Sequence, residues 1–530
     1  MKLSPARLWK PILGLVAVLG AVAFMNLRSA PIRDKSKPLE LGFWYWHSPL
    51  DISPEETTKL KAEGLNKLFV RAGTFSTDGG NAVLVIPQTY RRIPDLETHL
   101  VFNFDAGFVR HFEEFDLDKL SNQASDRIKI QIDRAQKLGV KPTGIQLDLD
   151  CPTRLLPRYA RFVKQIKAGL GKELKWSTTA LMSWLGTAGV ETLSKELDFI
   201  IPQAYEGETG RTVSKMRPVS DPDYLRSVIL KAEKLKCPYY FGIPAYGHGF
   251  IFDDRDQLVD IYQSIGPAEA MRHPSFKLIE AYPSDRFGQP AKDRSSSVGE
   301  QIIKFKAIRP TATGRGLNYT LAYTIPTPDL LSQMKQVVQE NAGPNCFGAI
   351  IYRFPEPKAT LNLTLGGIHD VLDGKRPRPD LVVKDDRSVD NFEVIEKKGQ
   401  ASKSPVDIFL SIENTGNAAT FVAPDAVQLI LEFSKPGVGE VRLRDFDTSI
   451  VGALDQARKI AKSSSRNASA IQISKSYLAP GEKAYVGPIR LLESNTKISQ
   501  IRWIIRDGNG FDSYSGTSLI PTEPTRTPLK

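Results

Sequence analysis

Apolar residues fall in short β-rich runs that alternate with longer stretches of helical periodicity. The runs cover 41–46, 65–72, 100–104, 144–150, 175–182, 197–205, 239–246 and 347–354. Helical patterns fill 54–63, 126–138, 155–170, 225–235 and 330–341 between them. Strands alternating with helices predict parallel βαβ units and an α/β fold. Eight such units over roughly 330 residues suit a (β/α)8 barrel with insertions. An open doubly wound sheet is the rival, although no Gly-x-Gly-x-x-Gly follows the first run to mark a dinucleotide site.

About a hundred residues separate the seventh run from the eighth. Within them 302–308 and 317–325 read as the strands of a hairpin joined by a turn-rich 309–316, while 284–300 is polar and reads as a mobile loop. The segment is expected to be a small α+β excursion before the last helix. A Pro- and Gly-containing basic stretch, 374–380, reads as a linker. Beyond it the rhythm changes to short β runs at 406–412, 427–433, 441–444, 471–476, 484–491 and 498–506, separated by Asn-Thr-Gly-Asn, Pro-Gly and Asp-Gly-Asn-Gly turns. That is the pattern of an all-β sandwich, with 455–469 as a polar, helix-capable loop. The expected domains are a barrel over 39–373 and a sandwich over 381–522.

Barrel chemistry sits at the C-terminal ends of the strands. The fourth run reads Gly-Ile-Gln-Leu-Asp-Leu-Asp, so Gln146, Asp148 and Asp150 share one face and Ile145, Leu147 and Leu149 the other. The polar face must look into the barrel. Two carboxylates crowded there raise one another's pKa, as a general acid requires. The plainer alternatives are that Asp150 caps the next helix or that the pair forms a structural ion pair. At the end of the sixth run Gln203 and Tyr205 share a face, and Glu206 opens the loop. Tyr205 is placed to donate into the mouth.

Aromatic residues gather at the same rim: Trp44 and Trp46, Trp184, Tyr246, Tyr352 and Phe354. Flat aromatic faces suit the apolar side of a sugar ring, and they suit a core equally well. His47 and His248 follow the first and seventh runs. Nothing in their spacing marks a metal site, and no metal or other cofactor is expected. The chain has three cysteines. Cys237 and Cys346 precede neighbouring strands, within reach of a disulfide, or remain buried thiols.

The N-terminus begins with a basic segment (Lys2, Arg7, Lys10), followed by an apolar run to Met25 and Ala-Val-Ala. Residues 1–30 therefore read as a signal peptide or an N-terminal anchor through 11–25, and the rest as exported, periplasmic or extracellular. The net charge of +11 favours anionic partners. It is spread without long blocks, so nucleic acid is not expected.

Residues 144–152, Gly-Ile-Gln-Leu-Asp-Leu-Asp-Cys-Pro, resemble the fourth-strand motif of family 18 glycoside hydrolases, the chitinases and their relatives. In that register Thr143 and Gln146 replace two Asp, Asp148 matches the third, Asp150 stands at the acid Glu, and Pro152 matches the trailing Pro. Gln203-Ala204-Tyr205-Glu206 is similar to the family's Met-x-Tyr-Asp, and Tyr352 sits near its eighth-strand Trp. The chain as a whole resembles an uncharacterised family of exported bacterial proteins, domain of unknown function 3142. The resemblance implies a glycosidase acting on an envelope or extracellular polysaccharide, one containing N-acetylhexosamine among the candidates, with Asp148, Asp150, Tyr205 and Glu206 catalytic. Trp44, Trp46, Gln146, Trp184, Gln203, Tyr246 and Tyr352 are then the candidate substrate contacts. A non-catalytic glycan-binding protein and a structural envelope protein are the alternatives.

Overall fold

The computed structural model describes residue 33 and residues 38–170, 173–206, 210–261, 265–310, 318–356, 361–385, 406–456, 459–493 and 496–518. The expected signal or anchor over 1–30 lies outside them. Among the described residues no helix is long and apolar enough to cross a membrane.

Eight parallel strands close into a barrel. They are β1 (Glu40–Tyr45), β2 (Leu65–Asp78), β3 (Glu97–Phe104), β4 (Pro142–Asp148), β5 (Lys175–Ala180), β6 (Phe199–Pro202), β7 (Tyr239–Pro244) and β8 (Cys346–Tyr352). Each pairs with the next and β8 returns to β1, which excludes the open sheet. Period-two alternation sorts the side chains. Trp44, Phe69, Val101, Ile201, Tyr240 and Ile350 fill the interior, whereas Leu68, Leu100, Ile145, Leu147 and Phe241 face the surrounding helices. At Gly242 a β-carbon would lie 3.0–3.1 Å from the rings of Trp44 and Tyr205, so the missing side chain leaves both aromatics their place in the barrel.

The helices form for local reasons. Ser53 caps Pro54–Ala62, its Oγ accepting from the Glu56 N–H, and proline opens the first turn. Leu156–Leu170 buries Leu156, Tyr159, Ala160, Val163 and Ile166, a three-and-four spacing that makes one apolar stripe. One unit departs from the expected alternation. β2 runs on to Asp78, turns at Gly79 and Gly80, both at positive φ, and returns as Asn81–Val85, so a hairpin stands between β2 and β3 where a helix would complete the repeat.

The α+β insertion follows β7. Its five-stranded antiparallel sheet runs in the order Leu258–Ile261, His248–Phe252, Thr320–Pro326, Glu300–Ala307, Phe276–Pro283, with the helix Pro267–Arg272 beside it. The expected hairpin is present as the pair Glu300–Ala307 and Thr320–Pro326. The polar 284–300 loop is pinned: Asp293 and Ser296 form a capping box, and Arg294 bridges Asp329 and Asp512. The chain then enters the helix Pro328–Asn341, which leads to β8.

The C-terminal region packs a four-stranded sheet on a six-stranded one over a shared core that includes Ile412, Leu429, Ile473, Ile489 and Ile501. The segment expected to be a helix-capable loop instead holds a short strand, Ile460–Lys462, paired with Thr448–Leu454. The sandwich meets the insertion directly, Gln301 Nε2 donating to the Gly508 carbonyl. Cys151, Cys237 and Cys346 are separate, buried free thiols, so the disulfide alternative falls away.

Candidate functional site

The polar interior of β4 is built as its alternation requires. Gln146 is fully buried, accepts from Trp44 Nε1 at 2.7 Å and donates to Ser177 Oγ at 3.3 Å. Two residues on, Asp148 ends the strand and accepts from Thr179 Oγ1 at 2.5 Å. Asp150 stands beyond the strand end. The next turn, Thr153–Leu155, has Pro152 at its N-cap and no side-chain cap bond, so Asp150 is not spent on capping.

Asp150 is reached by water at the mouth. Protein atoms nevertheless crowd it, and desolvation, then the charges of Asp148 and Glu206, push its carboxyl up to about 7. Burial also raises Asp148, against the opposing bond from Thr179. The two therefore titrate as a pair that holds on to a proton near neutrality. Among the described residues Asp150 has no cation partner.

Glu206 is the opposite case. Its φ of 57° places a non-glycine residue in the left-handed region, costing about 1 kcal/mol, and its N–H to the Val219 carbonyl at 2.8 Å holds it there. Strained backbone of this kind gathers at functional sites. The carboxylate accepts from the Tyr246 hydroxyl and faces His248 Nε2 at 2.9 Å. Burial works to raise it, but the bond and charge of His248 and the bond from Tyr246 together bring it below the ordinary glutamate value. The Val219 segment is itself anchored from the insertion. Glu300, buried and pushed up to about 8 by desolvation, accepts the N–H groups of Val219 at 3.0 Å and Ser220 at 3.3 Å.

The structure brings Asp148, Asp150, Tyr205, Glu206, Tyr246 and Tyr352 to one mouth. The Tyr205 ring stacks on Tyr352 at 5.6 Å, and Tyr246 meets Tyr352 edge-on at 4.9 Å. Trp46 extends the platform, 5.7 Å from Tyr352, and Gln203 is partly accessible beside β7. Three expected substrate contacts lie elsewhere. Trp184 is fully buried in the layer outside the barrel, donating its Nε1–H to the Cys151 carbonyl. Trp44 and Gln146 satisfy one another inside the barrel and form the support of the mouth instead of its surface. Phe354 parts from Tyr352 and packs outward on Phe43 and Tyr45.

Sequence reading missed three contributors. His248 entered it only as a metal-ligand candidate, and it is committed to Glu206. Arg71 lies on the inward face of β2 with its guanidinium 5.8 Å from the Trp46 ring centroid, a position that the alternation Lys67, Phe69, Arg71 marks. Arg353 follows β8 and pairs with Glu356 at 3.1 Å. Among the described residues no group of three His, Cys, Asp or Glu is arranged to hold a metal.

A separate concavity, about 1150 Å³, lies between barrel, insertion and sandwich and is lined in part by Tyr45, His47, Arg92, Glu356, Asn362 and Tyr477. It contains none of Asp148, Asp150, Tyr205 or Glu206. Perturbed carboxyls, strained backbone and the aromatic platform all sit at the mouth, which is therefore the functional candidate.

Residues 114–267 match the family model described as Domain of unknown function (DUF3142). The matched segment contains β4 to β7 and the first insertion strands, and with them Asp148, Asp150, Tyr205, Glu206 and His248. No curated protein matches the chain. Among solved structures, the spore cortex-lytic enzyme SleL of Bacillus cereus is similar at 14% identity over 64% of this chain and 75% of that one, with a TM-score of 0.41. Chitinase ChiA74 from Bacillus thuringiensis is similar at 10% identity over 87% and 100%, with a TM-score of 0.40. A chitinase-like agglutinin from Robinia pseudoacacia is similar at 12% over 63% and 98%, with a TM-score of 0.39.

Proposed function

We propose that this barrel is a glycoside hydrolase acting on a cell-envelope or extracellular polysaccharide, with Asp150 as general acid. The observation that carries this reading is the divergence of two carboxyls in one mouth: Asp150 is raised to about 7 and Glu206 is lowered. Environments that push neighbouring carboxyls apart assign acid and base. The protonated Asp150 gives its proton to the leaving glycosidic oxygen. Asp148 sets the proton affinity of Asp150 through its charge, and Tyr205 orients the sugar on the Tyr352 ring. Glu206, held ionised by Tyr246 and His248, is the second carboxylate. Where the sugar carries an N-acetyl group, the substrate's own carbonyl takes the nucleophilic role. The sequence resemblance at 144–152 supports the same assignment. Action on such a polymer fits the export that the N-terminal sequence suggests.

The accessibility of Asp150 and its lack of a cation partner among the described residues favour catalysis over a lectin role, in which a salt bridge would be expected to neutralise it. The test is reducing-sugar release from a panel of envelope polysaccharides by wild type and Asp150→Asn. Loss of at least about 100-fold in the variant, with folding unchanged, is expected for a general acid. If no glycan is cleaved and both proteins bind one equally, the protein is a lectin.

A further inference from the structure

A group of charges that glycosidic cleavage does not use stands between the mouth and the concavity that His47 and Glu356 help to line. Arg71 is half-buried there, and among the described residues its guanidinium has no hydrogen bond and no carboxylate partner; its contact is the Trp46 ring. Desolvation weakens its hold on its proton, Arg353 repels it and Glu356 attracts it, so these groups lie within electrostatic reach. Arg353 spends one nitrogen on Glu356 and leaves its buried Nε without a partner. Glu356 offsets one of the two guanidinium charges, so within this trio one positive charge is left over. His47 stands beside the same three groups and is held toward its neutral form, chiefly by burial, so it adds no charge to offset them.

A half-buried cation without an anionic partner gains more from an incoming anion than a fully hydrated one does. The position of this one is informative. Tyr205, Tyr352 and Trp46 form a continuous aromatic path from the carboxyls to Arg71, with ring separations of 5.6 and 5.7 Å. A saccharide bound on Tyr352 at Asp150 would therefore extend its next ring over Trp46 toward the guanidinium. The planar fork of arginine matches a carboxylate in two parallel hydrogen bonds.

We propose that Arg71, seated on Trp46 and backed by Arg353, forms a subsite for the carboxylate of an acidic sugar, so that the preferred substrate is a carboxylate-bearing glycan. The placement relative to the cleaved bond rests on the hydrolase reading above; the binding claim does not. The +11 net charge of the chain works in the same direction at longer range.

The test uses the full chain and a panel of carboxylate-bearing oligosaccharides (polyuronates and lactyl-ether sugars), each beside its carboxyl-reduced counterpart, with binding and cleavage measured in parallel. Wild type is expected to bind at least one acidic member about tenfold or more tighter than its reduced form, because only the carboxylate can take the charge-assisted bonds of the guanidinium. Arg71→Gln should bring that ratio close to one, and Arg71→Lys should keep part of it as a point charge. Thermal melting of both variants separates loss of the subsite from loss of fold. Acid-selective binding that depends on Arg71 but comes without cleavage supports the subsite and overturns the hydrolase. Cleavage with equal affinity for acidic and reduced forms, unchanged in Arg71→Gln, overturns the subsite and leaves the hydrolase standing. Absence of Arg71-dependent binding across the whole panel also overturns the subsite.

Discussion

His248, from the first strand of the insertion, places its Nε2 2.9 Å from the carboxylate of Glu206, in the loop after β6. The residues are 42 positions apart, and their pairing makes the insertion part of the mouth. It also fixes which carboxyl stays ionised. Replacing His248 with alanine removes a bond and a charge that lower Glu206, so Glu206 should hold its proton to higher pH. Activity that needs the Glu206 carboxylate should then fail earlier on acidification. The acidic limb of the kcat/KM–pH profile is expected to move upward in His248→Ala.

The basic limb reports the other carboxyl. Activity should fall as pH rises through about 7, where Asp150 gives up its proton. Asp148 contributes to that value by repulsion. Asp148→Asn removes the charge, lowers the proton affinity of Asp150 and should shift the basic limb to lower pH. A basic limb that stays in place in this variant would remove Asp148 from its assigned role.

Glu300 predicts a stability effect apart from catalysis. Its folded value near 8 lies above the ordinary glutamate value, so the folded state binds the proton more tightly. Its contribution is fully present below the unfolded pKa and is lost as pH rises toward 8, at up to about 1.4 kcal/mol per pH unit. Glu300→Gln removes that titration. Urea midpoints of wild type and variant should diverge between pH 5 and 8, with the variant gaining relative stability at the alkaline end.

Trp184 provides a contrast between core and site. Trp184→Ala empties a fully buried position and should destabilise the fold by about 3–5 kcal/mol. Glycan affinity, measured by calorimetry well below the melting temperature, should stay within about twofold, because the ring is outside the mouth.

Periodicity made the barrel strands legible, and it placed Gln146 and Asp148 on the inward face of β4. Its reach ended where the strands ended. Asp150 lies past β4, where pleating no longer sets direction, and its place in the site shows only in the charges of Asp148 and Glu206 that act on it. Trp184 follows β5 in a 3₁₀ turn, Met182–Trp184, where alternation no longer indicates direction. The hairpin after β2 was signalled by Thr-Asp-Gly-Gly-Asn, a turn sequence, but an alternating βα rhythm gives it no weight. The His248–Glu206 pair and the Glu300 anchor arise from tertiary closure, which local pattern does not encode. Arg71 is within reach of the period-two rule, which sets it on the same face as Phe69.

Glu300 and Gln301 are successive residues of one strand, so the pleat sends them to opposite sides. Glu300 grips the backbone beside Glu206, while Gln301 grips the Gly508 carbonyl of the sandwich. A shortened chain ending before the sandwich would strip one side of the strand that steadies the mouth from the other. The three modules are thus joined through this one strand, and removal of the sandwich is expected to loosen the mouth.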